Sequence, residues 1–131
     1  MIQVSAAIIW REGSILICQR GEGGDCSLLW EFPGGKQGAG ESAEDCVRRE
    51  CREELGIELR LGAVFGTAEY TYGGRPFGFT FFQAEIAGGS IRPVVHRDLC
   101  WVRPEELEQY DFCPANRDII RRLAEKEETA Q

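Results

Sequence analysis

Histidine is almost absent from this chain of 131 residues, and its cysteines lack the spacing of a structural metal site. His96 is the single histidine, and none of the six cysteines belongs to a C-x-x-C pair. A zinc site of the usual cysteine and histidine type therefore has too few ligands. Several cysteines lie in apolar runs, where a thiol behaves as a small hydrophobic group. We expect reduced, buried thiols rather than a disulfide framework.

The sequence also lacks a long apolar run and an excess of positive charge. No segment approaches the ~20 apolar residues of a membrane-spanning helix, and residues 1–10 alternate like a strand rather than a signal peptide. The net charge of −7 argues against binding to polymeric nucleic acid, which normally needs a basic surface. We expect a cytoplasmic protein without membrane or nucleic-acid partners, as a monomer or a homodimer.

Strand and helix signals alternate along the chain. Strands are predicted at 4–10, 15–19, 30–32, 57–72, 75–86 and 99–102, helices at 42–55 and from 115 to about 126, and a helical turn at 104–109. The glycines at 73 and 74 are typical of a two-residue hairpin turn. The pattern predicts a single α/β domain over residues 1–131, in which helices cover a mixed sheet.

The predicted helix 42–55 carries an unusual stripe of side chains. At about 3.6 residues per turn, one face begins with apolar residues and ends with Glu50, Glu53 and Glu54. A glutamate cluster is often only a solvated face, but the opposite side of this helix already supplies one. Like charges at this spacing repel, and the C-terminal half of a helix disfavours anions. The cluster therefore predicts a divalent cation site, through which an acidic protein can bind phosphates.

Immediately upstream, Pro33, Gly34 and Gly35 form a predicted tight loop. Glycine there lets the backbone approach a ligand or a metal closely. An ordinary turn would account for the same three residues. Their place between a short strand and the carboxylate helix favours the functional interpretation.

The stretch GKQGAGESAEDCVRRECREELGI, residues 35–57, resembles the signature box of the Nudix hydrolases. Cys51 replaces an apolar residue of that box, where a buried thiol is chemically acceptable. The segments 30–36 and 111–116 resemble the MutT-like branch of the family. The box positions in register are Gly35, Glu41, Arg49, Glu50, Glu53, Glu54, Gly56 and Ile57.

This resemblance implies the Nudix fold, a mixed β-sheet sandwiched between α-helices. It also implies Mg²⁺-dependent cleavage of a nucleoside triphosphate to a monophosphate and pyrophosphate, with Mn²⁺ as a possible substitute. The implied metal ligands are the Gly34 carbonyl, Glu50, Glu53, Glu54 and Asp98.

The resemblance further implies catalytic and supporting roles. Glu50 or Glu53 would act as the base for the attacking water, and Arg49 would orient the carboxylates. Glu41 would support the loop before the helix, and Gly35 and Gly56 would have structural roles.

Substrate contacts are implied less directly. Arg20 and Lys36 would bind phosphate, although either is equally consistent with a surface cation. Asn116 would hydrogen-bond a base, or instead cap the closing helix. Phe77 and Phe79 would stack on a base, or belong to the core.

Three functional hypotheses follow. The first is a MutT-like enzyme that removes oxidised purine nucleotides such as 8-oxo-dGTP. The second is a pyrophosphohydrolase of CTP, another pyrimidine triphosphate or another nucleoside diphosphate derivative. The third is a non-catalytic nucleotide sensor, which the complete set of box carboxylates disfavours.

Overall fold

Seven strands and two α-helices form the chain in its computed structural model, which describes residues 1–129 and the side chains of residues 1–125. Two 3₁₀ segments, Pro104–Gln109 and Pro114–Asn116, precede the last helix. The elements are β1 Ile2–Arg11, β2 Ser14–Gln19, β3 Trp30–Glu31, β4 Gly34–Lys36, α1 Ala43–Leu55, β5 Ile57–Tyr72, β6 Arg75–Gly89, β7 Asp98–Val102 and α2 Arg117–Thr129.

Strand β1 lies at the centre of a mixed sheet. It runs parallel to β6 and antiparallel to β2 and β4, and β5 and β6 form a long antiparallel hairpin. The path through the sheet is β3-β2-β1-β6-β5, with β7 paired to β2. The predicted mixed sheet and the hairpin at residues 73 and 74 are confirmed.

The two faces of the sheet carry separate hydrophobic cores. Ala6 and Ile8 of β1 pack on the side that includes residues of α2, whereas Ala7 and Ile9 pack on the side of α1. Successive side chains of a strand point to opposite faces. Because both faces are covered by helices, every residue of β1 from Ser5 to Ile9 is buried, and the alternation predicted over residues 1–10 is wrong there.

Helix α1 begins and ends where the sequence predicts. The Ser42 hydroxyl accepts the Asp45 N–H at 3.1 Å, and Gly56 adopts a left-handed conformation with φ of 73°. The Gly56 N–H donates to the Arg52 carbonyl at 3.0 Å. These caps determine the length of the helix and therefore the position of its last turn.

The predicted loop at Gly34 and Gly35 is wrong, because both residues belong to β4. Gly34 pairs with Ala6 and Gly35 with Ser5. A Cβ at position 34 would overlap the Ser5 carbonyl. Gly34 therefore permits a close approach between strands, and the predicted tight turn does not form at these two residues.

The closing helix begins at Arg117, two residues later than predicted. The Ala115 N–H donates outward to the Tyr72 hydroxyl at 3.0 Å, and Pro114 begins a 3₁₀ turn instead of the helix. All six cysteines are free, and five of them are buried. Across residues 1–129, no helix combines the length and apolarity needed to cross a membrane.

Candidate active site

A cavity of about 570 Å³ lies between β4, β6 and the last turn of α1. It collects most of the predicted site residues into one place. Those that line it are Arg20, Gly34, Gly35, Lys36, Glu54, Phe77, Phe79 and Asn116. Glu31 and Glu54 line the cavity toward α1, here called its charged end, and the rings of Tyr72, Phe77 and Phe79 line the other end, here called its aromatic end, near which Asp25 and Arg75 also lie.

Arg49 joins two glutamates of α1, and neither it nor these glutamates is among the residues that line the cavity. Its Nη1 donates to Glu50 Oε1 at 3.0 Å and to Glu53 Oε1 at 2.9 Å. Its Nε and Nη2 donate to the two oxygens of Glu41 at 2.7 and 3.0 Å. These hydrogen bonds raise the pKa of Arg49, with Glu41 contributing most. The guanidinium therefore contacts three carboxylates, and its role in orienting them stays a prediction from the resemblance.

Glu41 is held in the loop before α1. Its Oε1 also accepts the Gly38 N–H at 2.9 Å. The Arg49 hydrogen bond, followed by that of Gly38, lowers the pKa of Glu41 to about 2. Glu41 is therefore ionised at neutral pH, where it anchors the arginine to the loop.

Glu50 lies directly against Gly35 of β4. A Cβ at Gly35 would overlap the Glu50 carboxylate, whose side chain is 18% exposed. Glu53, by contrast, is 52% exposed, so the prediction that all three glutamates face inward is wrong for Glu53. The arginine contact at i,i+4 draws Glu53 along the helix surface instead.

Glu54 lies in different surroundings from Glu50 and Glu53. Its Oε1 is buried and has no hydrogen-bond partner among the described residues. Burial raises the pKa of Glu54 to about 7, and the charges of Glu31 and Glu50 add to the shift, while His96 and the Gly34 backbone oppose it. A buried carboxylate without a partner is costly, and a cation would relieve that cost.

The fit of these residues to a divalent metal rests on Glu54. Its Oε1 is buried and unpartnered among the described residues, Glu54 and Gly34 line the same cavity, and hard carboxylate oxygens are the donors that Mg²⁺ prefers. In residues 1–129, however, no three acidic, histidine or cysteine side chains converge as a ligand set, because Glu50 and Glu53 are drawn to Arg49. The donor chemistry fits a hard cation.

Asp98 is not brought to the box glutamates. Its carboxylate accepts the N–H of Leu99 at 2.9 Å, and Asp98 is exposed at the start of β7. Its role as a metal ligand therefore stays a prediction from the resemblance.

The aromatic end is a ladder of rings on adjacent strands. Phe77 and Phe79 have ring centroids 6.2 Å apart, and Phe79 and Phe81 are 6.1 Å apart. Tyr72 packs edge-on against Phe77 at 5.7 Å. Phe77 and Phe79 are half-buried and line the cavity, which supports stacking on a ligand over a purely internal role. Lys36 also lines the cavity, and its Nζ lies 6.0 Å from the centroid of the Phe77 ring.

Asn116 is a buried polar residue in the wall of the cavity. It is 5% exposed, and its Oδ1 is 3.5 Å from the Phe32 N–H. The cavity position favours ligand contact over the alternative role as a helix cap. The neighbouring Ala115 amide is held by Tyr72, so the 3₁₀ turn is tied to the aromatic wall.

Two further polar residues at the charged end were not assigned from the sequence. Glu31 accepts from Arg20 Nη1 at 3.1 Å through Oε1, and its Oε2 lies 3.1 Å from His96 Nε2. Burial works to lower the pKa of Arg20, but Glu31 outweighs it and the net shift is upward. The arginine contact and the histidine contact use different oxygens of one carboxylate.

One missed residue had a signal in the sequence. Arg75 shares the alternation of Phe77 and Phe79 on β6, and it lines the same cavity. Nothing comparable indicates His96, because it reaches Glu31 from a segment 65 positions away.

Comparisons with known proteins agree with this geometry. The sequence model of the NUDIX domain matches residues 1–123. The chain is 40% identical over 120 residues to CTP pyrophosphohydrolase of Escherichia coli, covering 92% of this chain and 89% of that protein. It is 36% identical over 124 residues to 8-oxo-dGTP diphosphatase of Haemophilus influenzae, covering 94% and 91%. The crystal structure of a MutT protein from Methanosarcina mazei superposes with a TM-score of 0.85 at 25% identity, covering 96% and 94%.

Proposed function

This chain belongs to the Nudix hydrolase family, and from that premise we propose that it hydrolyses a nucleoside triphosphate to a nucleoside monophosphate and pyrophosphate. One observation carries the proposal: a single cavity joins a carboxylate end to an aromatic end. A nucleotide has the matching polarity, with anionic phosphates at one end and a flat base at the other.

The base would lie at the aromatic end. Phe77 and Phe79 offer ring faces for stacking, and Asn116 offers an amide that both donates and accepts. We propose an oxidised purine nucleotide such as 8-oxo-dGTP as the substrate. The curated relative from Haemophilus influenzae bears that activity in its name.

A second candidate substrate is CTP or a related pyrimidine triphosphate. It is favoured by the relative from Escherichia coli, which is 40% identical and is named for CTP. A pyrimidine would use the same amide and the same ring faces, so the two candidates differ in how fully they fill the aromatic end.

The phosphates would lie toward α1. Lys36 and Arg20 both line the cavity, and Arg20 donates through Nη1 to Glu31. The guanidinium has several N–H donors, so others remain for phosphate oxygens.

Members of the family generally use a divalent metal. We propose that Glu50, Glu53, Glu54 and the Gly34 carbonyl hold Mg²⁺, or Mn²⁺ in its place. A bound ion of this kind neutralises phosphate oxygens and lowers the pKa of a water ligand. The orphaned Oε1 of Glu54 is the observation that supports it.

The remaining chemistry belongs to the protein's own side chains. We propose that Glu50 or Glu53 accepts the proton of the attacking water as general base. Arg49 holds both carboxylates within 3.0 Å of one nitrogen, so it determines their orientation before substrate arrives. Glu41 secures Arg49 from the other side.

The test is a nucleotide panel with product identification. Purified protein is incubated with 8-oxo-dGTP, dGTP, CTP and ADP-ribose, with Mg²⁺ or with a chelator. Metal-dependent release of pyrophosphate from a triphosphate is the expected result, and the preferred nucleotide separates the two candidate substrates. Binding of nucleotides without any turnover would indicate a sensor and overturn the proposal.

Domain content, cellular location and oligomeric state can be tested in the same protein. We propose that residues 1–131 form one Nudix domain, that the protein acts in the cytoplasm and that it is a monomer or a homodimer. Limited proteolysis, cell fractionation and light scattering test these three points separately.

A further inference from the structure

The segment of residues 92–97, here called the strap, belongs to the connection from β6 to β7 and reaches Glu31, a residue of the cavity lining. The Val94 N–H donates to the Glu54 carbonyl at 3.1 Å, at the end of α1. The Arg97 N–H donates to the Gln19 carbonyl at 2.9 Å, at the end of β2. The strap is therefore attached to the helix that carries the glutamates and to the strand that leads into Arg20.

His96 is the one strap residue whose side chain is directed inward. The side chain is 4% exposed, and Nε2 lies 3.1 Å from Glu31 Oε2. An ionised carboxylate can only accept, so Nε2 is the donor. The other ring nitrogen, Nδ1, is buried and has no hydrogen-bond partner within the described part of the chain. Burying an imidazole with one unpaired nitrogen is costly, so packing alone does not explain its position.

Glu31 connects this histidine to Arg20. Its Oε2 is held by His96, and its Oε1 accepts from Arg20 Nη1 at 3.1 Å. The His96 bond restricts rotation of the carboxylate, so the second oxygen keeps a constant position. Arg20 is 44% exposed, and Glu31 is the contact that orients it.

We propose that His96 is a positioning residue for substrate binding, which acts through Glu31 to hold the Arg20 guanidinium toward the phosphates. His96 itself does not touch the substrate. This inference rests on the proposed function, because the phosphate contact of Arg20 belongs to it. It assigns a role to the single histidine, which the Nudix box does not contain.

The experiment is a double-mutant cycle between His96 and Arg20. His96→Leu removes the donor at similar size, His96→Gln keeps an N–H donor, and Arg20→Gln removes the cation. KM and kcat are measured with the preferred triphosphate, and calorimetry gives the Kd of a non-hydrolysable triphosphate analogue. Val95→Ala, at an exposed position of the strap, is the matched control.

His96→Leu should raise KM and Kd about tenfold, the size of one charge-assisted hydrogen bond, with kcat nearly unchanged. His96→Gln should recover most of the loss, and Val95→Ala should behave as wild type. In the Arg20→Gln background, His96→Leu should add little, because the two residues act along one path. A purely structural role would not give this dependence on Arg20.

Three results would overturn the inference: unchanged KM and Kd in His96→Leu, equal effects of His96→Leu in both backgrounds, or a loss confined to kcat. If His96→Leu fails to fold in a thermal unfolding scan, His96→Asn takes its place in the cycle, because its amide is polar but too short to reach Glu31. In that cycle, a His96→Asn loss that is as large without Arg20 as with it contradicts the inference. Wild-type protein that hydrolyses none of the nucleotides would refute the proposed function instead, while the binding measurements still test His96.

Discussion

Glu53 and Glu54 are neighbours on one helix, yet their surroundings are opposite. Glu53 is half-exposed and shares Arg49 Nη1 with Glu50. Glu54 points into the cavity wall, where its Oε1 has no partner among the described residues. The difference shows that one glutamate-rich turn contains two kinds of carboxylate. One kind is held by an arginine, and the other is buried with one oxygen unpaired among the described residues.

The largest expected effect is a loss of kcat on substitution of Glu53, one of the glutamates bound by Arg49. Glu53→Gln keeps the size of the side chain and removes its charge, so it should lower kcat by about a thousandfold if Glu53 is the base or a metal ligand. Steady-state kinetics with Mg²⁺ measures it, and circular dichroism checks the fold. Wild-type activity in this variant would remove Glu53 from the site.

Arg49→Lys tests whether orientation matters as well as charge. Lysine keeps the positive charge but cannot bind three carboxylates with a planar fork. We expect kcat to fall about a hundredfold, as for residues that orient metal ligands. Unchanged kinetics would show that the carboxylates find their positions without the arginine.

Glu54→Gln tests whether the buried carboxylate of Glu54 lowers the stability of the metal-free protein. The pKa of Glu54 is about 7 in the folded protein, against a reference value of 4.5. Between these two pH values the folded state therefore binds more protons than the unfolded state. The free energy of unfolding therefore falls as pH rises through this window. In the metal-free protein, the variant should be more stable than wild type by ~2 kcal/mol above the folded pKa and similar to it below pH 4.5.

Chelated and Mg²⁺-loaded samples provide the control for that measurement. Mg²⁺ should stabilise wild-type protein more than Glu54→Gln, because the ion compensates the buried charge. Equal stability of the two proteins at every pH in denaturant titrations would contradict the view of Glu54 as an uncompensated carboxylate.

The smallest effect is expected on the solvated face of the same helix. Glu44 is exposed in the first turn of α1. Glu44→Gln should change the free energy of unfolding by less than about 0.5 kcal/mol and leave turnover unchanged. A loss of activity there would mean that general helix charge, rather than position, controls the site.

The helix and its chemistry could be predicted because they depend on local spacing. The cap at Ser42, the stop at Gly56 and the i, i+3, i+4 arrangement of Glu50, Glu53 and Glu54 all follow from the period of one helix. Period-two alternation on β6 likewise placed Phe77 and Phe79 together. These features needed no knowledge of the rest of the chain.

The errors arose where distant segments meet. Gly34 and Gly35 belong to a strand because both pair with β1, which lies close enough to exclude a Cβ at Gly34. Glu53 turned outward because Arg49 lies one turn before it on the helix surface. Periodicity predicts which face of a helix or strand a residue occupies. It does not predict which partner the side chain will contact.

By itself, then, the sequence determined the α/β fold, the length of α1 and the glutamates of the Nudix box, since each depends on residues a few positions apart. The environment of every glutamate required the folded chain. Burial of Glu54 and the link from His96 through Glu31 to Arg20 join segments that are far apart in sequence. Burial and charge pairing are properties of neighbours in space, and those neighbours exist only once the strands and helices have packed.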